Sequence, residues 1–150
     1  MRMFAAALTL ALAAPVFAAD KNEDKAKETA IAFLKAVKAK DADAVLKVSA
    51  VPFAHKEGDD VSLLKDAAEL KKWVKERLEQ VDADKVPTEL DALHPFAEVK
   101  EKIKDEKQRK QLEELAGKEA FVGVISVDGN TITLLVRIKD GKAAVVGAGH

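Results

Sequence analysis

The chemistry open to this sequence rests on three histidines and a thin set of aromatic side chains. His55 has the densest titratable company, because Glu57, Asp59 and Asp60 follow it closely. A histidine beside carboxylates can serve as a general base or a metal ligand, since its pKa lies near neutrality and a carboxylate can orient its ring. The plain alternative is a solvated surface turn. His94 precedes Pro95 and Phe96 in a punctuated stretch and reads as structural, and His150 is the last residue. Trp73 falls on a helical apolar stripe, and with Phe33, Phe53, Phe96 and His55 it forms the candidate ligand-binding set. Apolar walls with a few placed polar groups are how small-molecule pockets are built. The same aromatics would also serve as ordinary core filling.

Other chemistries are excluded residue by residue. The chain has no cysteine and no tyrosine, which removes disulfide, thiolate, iron–sulfur and tyrosyl chemistry. Asp41-Ala42-Asp43 and Asp82-Ala83-Asp84 begin like calcium loops, but neither has the glycine or the closing glutamate such a loop needs. They read as helix caps and turns. No phosphate-binding glycine loop, H-E-x-x-H or G-x-S-x-G occurs. The reading therefore assigns no catalytic residue, no metal and no cofactor. A formal net charge of −1 argues against nucleic acid, which calls for a strongly basic face. Arg137 is expected on the wet face of a strand, as solvation.

The first eighteen residues read as a secretory leader. Arg2 supplies the positive end, Phe4 to Ala14 is apolar apart from Thr9, and Val16-Phe17-Ala18 offers a small-residue cleavage site. The apolar run is too short for the roughly 20 residues that span a bilayer, so no membrane span is expected after cleavage. Removal of residues 1–18 leaves 132 residues, takes the net charge to −2 and removes both methionines. The expected location is periplasmic or extracellular. Residues 19–150 form one domain by length.

The elements that must position these residues follow from periodicity. Asp20 to Lys25 reads as a fraying polar end. Ala26, Ala30, Phe33, Leu34 and Val37 share one helical face running to about Ala39. Asp41 or Asp43 can cap a short helix carrying Val45, Leu46 and Val48. Ala50 to His55 reads as an extended edge segment because Pro52 lacks an N–H. Lys56-Glu57-Gly58-Asp59 turns the chain, and Val61 to Leu64 returns. Asp66 with Glu69 resembles a capping box ahead of a helix bearing Leu70, Trp73, Val74, Leu78 and Val81. Residues 82–97 give no clear pattern. Glu98 to Gln111 is mostly charged, with only Val99 and Ile103 apolar. Acid-then-base pairs four apart, such as Glu106–Lys110, predict a single exposed helix over 98–111. Ala120–Val127, Thr131–Ile138 and Ala143–Gly147 are strands joined by Asp128-Gly129-Asn130 and Asp140-Gly141 turns. They predict a meander with one face on a core and the other mostly wet.

The expected fold class is α+β, with N-terminal helices packed on a curved, mainly antiparallel sheet that ends in a three-stranded meander. This order resembles the nuclear transport factor 2-like superfamily, which includes ketosteroid isomerase-like and polyketide cyclase-like proteins. The resemblance rests on Ala30-x-x-Phe33-Leu34-x-Ala36, Val51-Pro52-Phe53 and Asp140-Gly141-Lys142. It implies a cone of sheet around helices, with an apolar pocket at the open end. The segment 98–111 stands out from that pattern as a charged helical insertion. The chain also departs from it in having no tyrosine for an oxyanion hole. Three functional readings remain. The first is an exported, non-catalytic domain that binds a small apolar ligand or a protein partner. The second is an isomerase- or cyclase-like enzyme with His55 or Asp59 as base. The third is a homodimerising interaction module.

Overall fold

The computed structural model describes the backbone from residue 14 and side chains from residue 21. Most of the leader expected over residues 1–18 lies outside the described residues. Helix α1 spans Ala14–Lys38. It starts well before Ala26, so the polar stretch that reads as fraying is helical. Two contacts hold it: Asn22 Nδ2 donates to Glu119 Oε2 at 2.8 Å, and Lys25 Nζ donates to the Gly141 carbonyl at 2.8 Å. Ala26 and Ala30 are fully buried. Small side chains there let the helix lie close on the sheet, and Ala30 comes close to Gly123.

Helix α2 (Ala42–Lys47) is capped by Asp41, whose carboxylate accepts from the Ala44 N–H at 3.0 Å. Helix α3 (Ala67–Gln80) is capped by Asp66, which accepts from the N–H groups of Ala68 and Glu69. Glu69 Oε2 accepts from the Lys65 N–H at 2.7 Å, one residue earlier than in a standard capping box. The expected apolar stripe buries Leu70, Val74 and Leu78.

Six strands form one sheet: β1 (Ser49–Glu57), β2 (Asp60–Leu64), β3 (Ala92–Pro95), β4 (Glu119–Val127), β5 (Asn130–Lys139) and β6 (Lys142–Gly149). Their order is β2-β1-β6-β5-β4-β3. All pairs are antiparallel except β1 with β6, which is parallel. The hairpins carry the expected turns, with Asp128 and Gly129 at φ 50 and 79, and Asp140 and Gly141 at φ 52 and 74. Two successive positive φ angles make the primed turn that matches strand twist.

One expectation about strands is corrected. The segment around Pro52 is not an edge, because β1 lies inside the sheet between β2 and β6. Proline is tolerated there because the β1–β6 register shifts between Ser49 and Ala54, so the absent N–H interrupts no ladder bond. The unread stretch contributes a further strand, β3, which pairs with β4 from Ala92↔Val124 to Pro95↔Phe121. The meander β4-β5-β6 has the three expected strands, and β3 adds an edge strand beside it.

The segment 98–111 is also corrected. It is not one helix: α4 (Phe96–Val99) and a 3-10 turn (Lys100–Lys102) precede a break, and α5 (Glu106–Ala116) begins after its cap Asp105. Within it, Val99 and Ile103 pack against the second face of the sheet. Phe96, Leu115 and Ala116 join Ala54, Ala120, Leu135 and Val146 in a separate buried cluster. The face expected to be mostly wet is therefore largely covered by the chain itself. The main cluster, on the opposite face, joins α1, α2 and α3 to Phe53, Phe121, Ile125, Leu134, Val136 and Val145.

Candidate functional site

Alternation along β1 sends Phe53 and His55 to the same side, toward α3. Both meet Trp73. The Phe53 and Trp73 ring centroids are 5.3 Å apart and tilted by 47°, and those of His55 and Trp73 are 5.3 Å apart and tilted by 34°. One helical turn on, the Arg77 guanidinium lies over the Trp73 ring, 5.7 Å from its centroid, within cation–π range. Arg77 also forms an ion pair with Glu57.

This packing determines what His55 can do. Burial, and secondarily the Arg77 charge, holds its pKa below the ordinary value of 6.5. Its Nδ1 is buried and has no hydrogen-bond partner, and the same holds for Trp73 Nε1. The carboxylates that follow in sequence do not orient the ring. Glu57 is taken by Arg77, and Asp59 and Asp60 are exposed at the β1–β2 turn. The Asp59 carbonyl instead accepts from Gln108 Nε2 at 2.6 Å.

Beside this aromatic stack lies a cavity of about 380 Å³. Its floor is one end of the sheet, where Ile125 and Val127 close β4, Ile132 and Leu134 open β5, and Ala148 and Gly149 close β6. Its walls are the apolar stripes of α1, through Phe33, Leu34 and Val37, and of α3, through Trp73, Val74 and Leu78. Asp82, Lys85, Val86 and Pro87, which the sequence did not mark as site residues, also line it, together with Lys56, Arg77, Val81 and His150. Asp82 caps the 3-10 turn Ala83–Lys85, which brings Lys85 and Val86 round. The only sequence signal for this turn was the Asp82-x-Asp84 spacing. Two of the cations at the cavity are paired, Lys85 with Asp128 at 2.9 Å and Arg77 with Glu57. Lys85 has its pKa raised by the Asp128 hydrogen bond and by the charges of Asp128 and Asp82.

Of the expected set, Phe33 and Trp73 line the cavity directly. Phe53 is fully buried behind Trp73, and His55 stands beside it without lining the cavity. Phe96 is on the other face of the sheet, among the residues of the second cluster. It begins α4 directly after β3, in a stretch whose residues show no helical or strand period. Among the described residues, no group of three histidine, cysteine or acidic side chains could hold a metal ion. No described helix is long and apolar enough to cross a membrane.

The observed order is helix, short helix, hairpin, helix, connection and meander, and the curved sheet stays unclosed around the N-terminal helices. This is the α+β order of elements expected from the sequence. Among solved structures the chain is similar to an NTF-2 like protein of unknown function from Shewanella oneidensis MR-1. That likeness has 10% identity, covers 84% of this chain and 95% of the other, and has a TM-score of 0.46. The chain is also similar to an NTF2 chain carrying five substitutions, with 13% identity, 87% and 97% coverage and a TM-score of 0.40. No family model matches the chain, and no curated protein matches it.

Proposed function

We propose that this chain is an exported, non-catalytic domain that holds a small apolar ligand between α1, α3 and the end of the sheet. The observation that carries the binding half is the 380 Å³ cavity walled by Phe33, Leu34, Trp73, Ile132 and Leu134. Its volume lies within the range of roughly 300–1,000 Å³ typical of small-molecule pockets. Two of its charged neighbours, Arg77 and Lys85, are held in ion pairs with Glu57 and Asp128, so an apolar ligand would leave neither of them stranded. Export rests on the leader pattern of residues 1–18. The non-catalytic half rests on His55, whose pKa is held below its ordinary value by burial, which lacks an orienting carboxylate and does not line the cavity. A general base needs hydrogen-bond reach to the proton it removes.

Trp73 is the sole tryptophan, so its fluorescence reports occupancy without labelling. Titration with a panel of steroids, fatty acids and apolar aromatics should give a saturable emission change for at least one class. A ligand at a hundredfold its Kd adds about 2.7 kcal/mol of stability, which a thermal melt resolves. No emission change and no stabilisation across the panel would overturn the reading. Native mass spectrometry of the protein purified from its host would show ligand and oligomeric state together.

A further inference from the structure

The second face of the sheet holds a cavity of its own, about 250 Å³, beneath α4 and α5. Strand register shows how it is built. One row across the sheet runs Ala54, Gly147, Leu135, Val122, through the pairs Ala54↔Gly147, Leu135↔Gly147 and Val122↔Leu135. The next row on the same face runs Lys56, Gly149, Thr133, through Lys56↔Gly149 and Thr133↔Gly149. The inner row is apolar and the outer row is polar. Phe96, Val99, Ile103 and Leu112 roof the inner row, and Gln108 stands at the cavity as well. Small residues at 54, 147 and 149 leave the floor low while the roof is bulky. At Gly149 a Cβ would stand only 2.8 Å from the Lys56 Cβ, so the lysine stem lies directly across that glycine.

Lys56 is exposed, and its ammonium has no ion-pair partner among the described residues. The adjacent carboxylate, Glu57, is already paired with Arg77. The cavity thus combines an apolar chamber with one uncompensated cation at its polar row. We propose that it is a second binding site, for a compact amphipathic acid. The apolar body would lie along Ala54, Leu135 and Val122, and the carboxylate would face Lys56. An apolar cavity of about 150 Å³ takes a benzene ring, so this one suits a fused bicyclic body or a medium-length acyl chain. The site lies on the opposite face from the helix-side cavity, and the two share only the sheet-end residues Lys56, Ala148 and Gly149.

The test is methyl NMR of the full chain titrated with 2-naphthoate, using neutral 2-naphthol as the control. Saturable shifts are expected at Val99, Leu112, Val122 and Leu135, with Leu34 and the Trp73 indole unmoved. Val122→Phe should abolish the back-face shifts while leaving the Trp73 signal in place. If that variant does not fold, Leu112→Phe fills the chamber from the roof. Lys56→Met should weaken naphthoate by about fivefold and leave naphthol unchanged, the size expected of one partly exposed charge pair. Shifts confined to Leu34 and Trp73, or no saturable back-face shift up to the solubility limit, would overturn the site. Equal naphthoate affinity in Lys56→Met would overturn the assignment of an acid.

Discussion

The two faces of the sheet are covered by different means. The front face carries α1, α2 and α3, whose apolar residues recur at helical spacing and whose core positions are nearly sealed; Phe53, Val136 and Val145 are 0% exposed. The back face carries α4 and α5, which set a few apolar side chains among many charges. Its buried cluster is smaller, with seven residues against sixteen on the front among the described residues. The back cover is fastened by polar ties instead: Lys100 to Glu113 at 3.1 Å, Gln108 to the Asp59 carbonyl, and the Asp105 cap. A mostly charged helix can therefore be a true packing layer through a short apolar stripe near its end, here Leu112, Leu115 and Ala116. A homodimer formed through the apolar residues of the meander's back face would have to displace this layer.

The contrast can be tested from its strongest term downward. Phe53→Ala removes a fully buried ring that supports Trp73, and should cost about 3–5 kcal/mol in urea denaturation. Leu115→Ala, on the back cover, should cost nearer 2 kcal/mol, at the low end of the range for buried leucines. Equal losses would show that the two covers are energetically alike. Next, replacing residues 98–111 with a short glycine linker should lower the thermal midpoint by more than about 10 °C. It removes Val99 and Ile103, the Asp105 cap and the Gln108 tie together. A drop of under about 3 °C would return the segment to a dispensable insertion.

Smaller effects separate the caps. Asp66→Ala loses two N–H partners on the front helix, and Asp105→Ala loses one on the back helix. Each should cost about 1 kcal/mol, with Asp66 the larger. A reversed order in chemical denaturation would mean that α5 depends on its cap more than its packing indicates. The smallest effect concerns pH. His55 is held below its ordinary 6.5 in the folded state, so the unfolded chain binds a proton more readily. Stability should fall as pH drops below 6.5 toward the lowered folded value, and stay flat above 6.5. His55→Gln should remove that slope; an unchanged slope would assign it to other groups.

Much of the front face was legible in the residues. Ala30, Phe33 and Leu34 announce α1, Asp66 and Glu69 announce α3, and the two Asp-Gly turns announce the hairpins. The cavity was half legible, because Phe33 and Trp73 lie on stripes that must converge. Val86 and Pro87 were missed, because they reach the cavity through a short 3-10 turn with no periodicity to read. Phe96 was misplaced for the same reason: a strand of four residues, β3, carries it to the opposite face.

What the sequence alone determined are the features set by neighbours within a few positions. These are helix faces, caps and primed turns, each governed by local hydrogen bonding and side-chain period. The tertiary structure alone decided three things: that β1 lies inside the sheet, parallel to β6, that β3 adds an edge beside β4, and that a charged segment roofs the back face. Each depends on pairing between residues far apart in the chain, where the stabilising contact is absent until the partner arrives. Pro52 shows the difference most plainly. By itself it marks an edge, but a register shift against β6, some ninety residues away, makes an interior place for it.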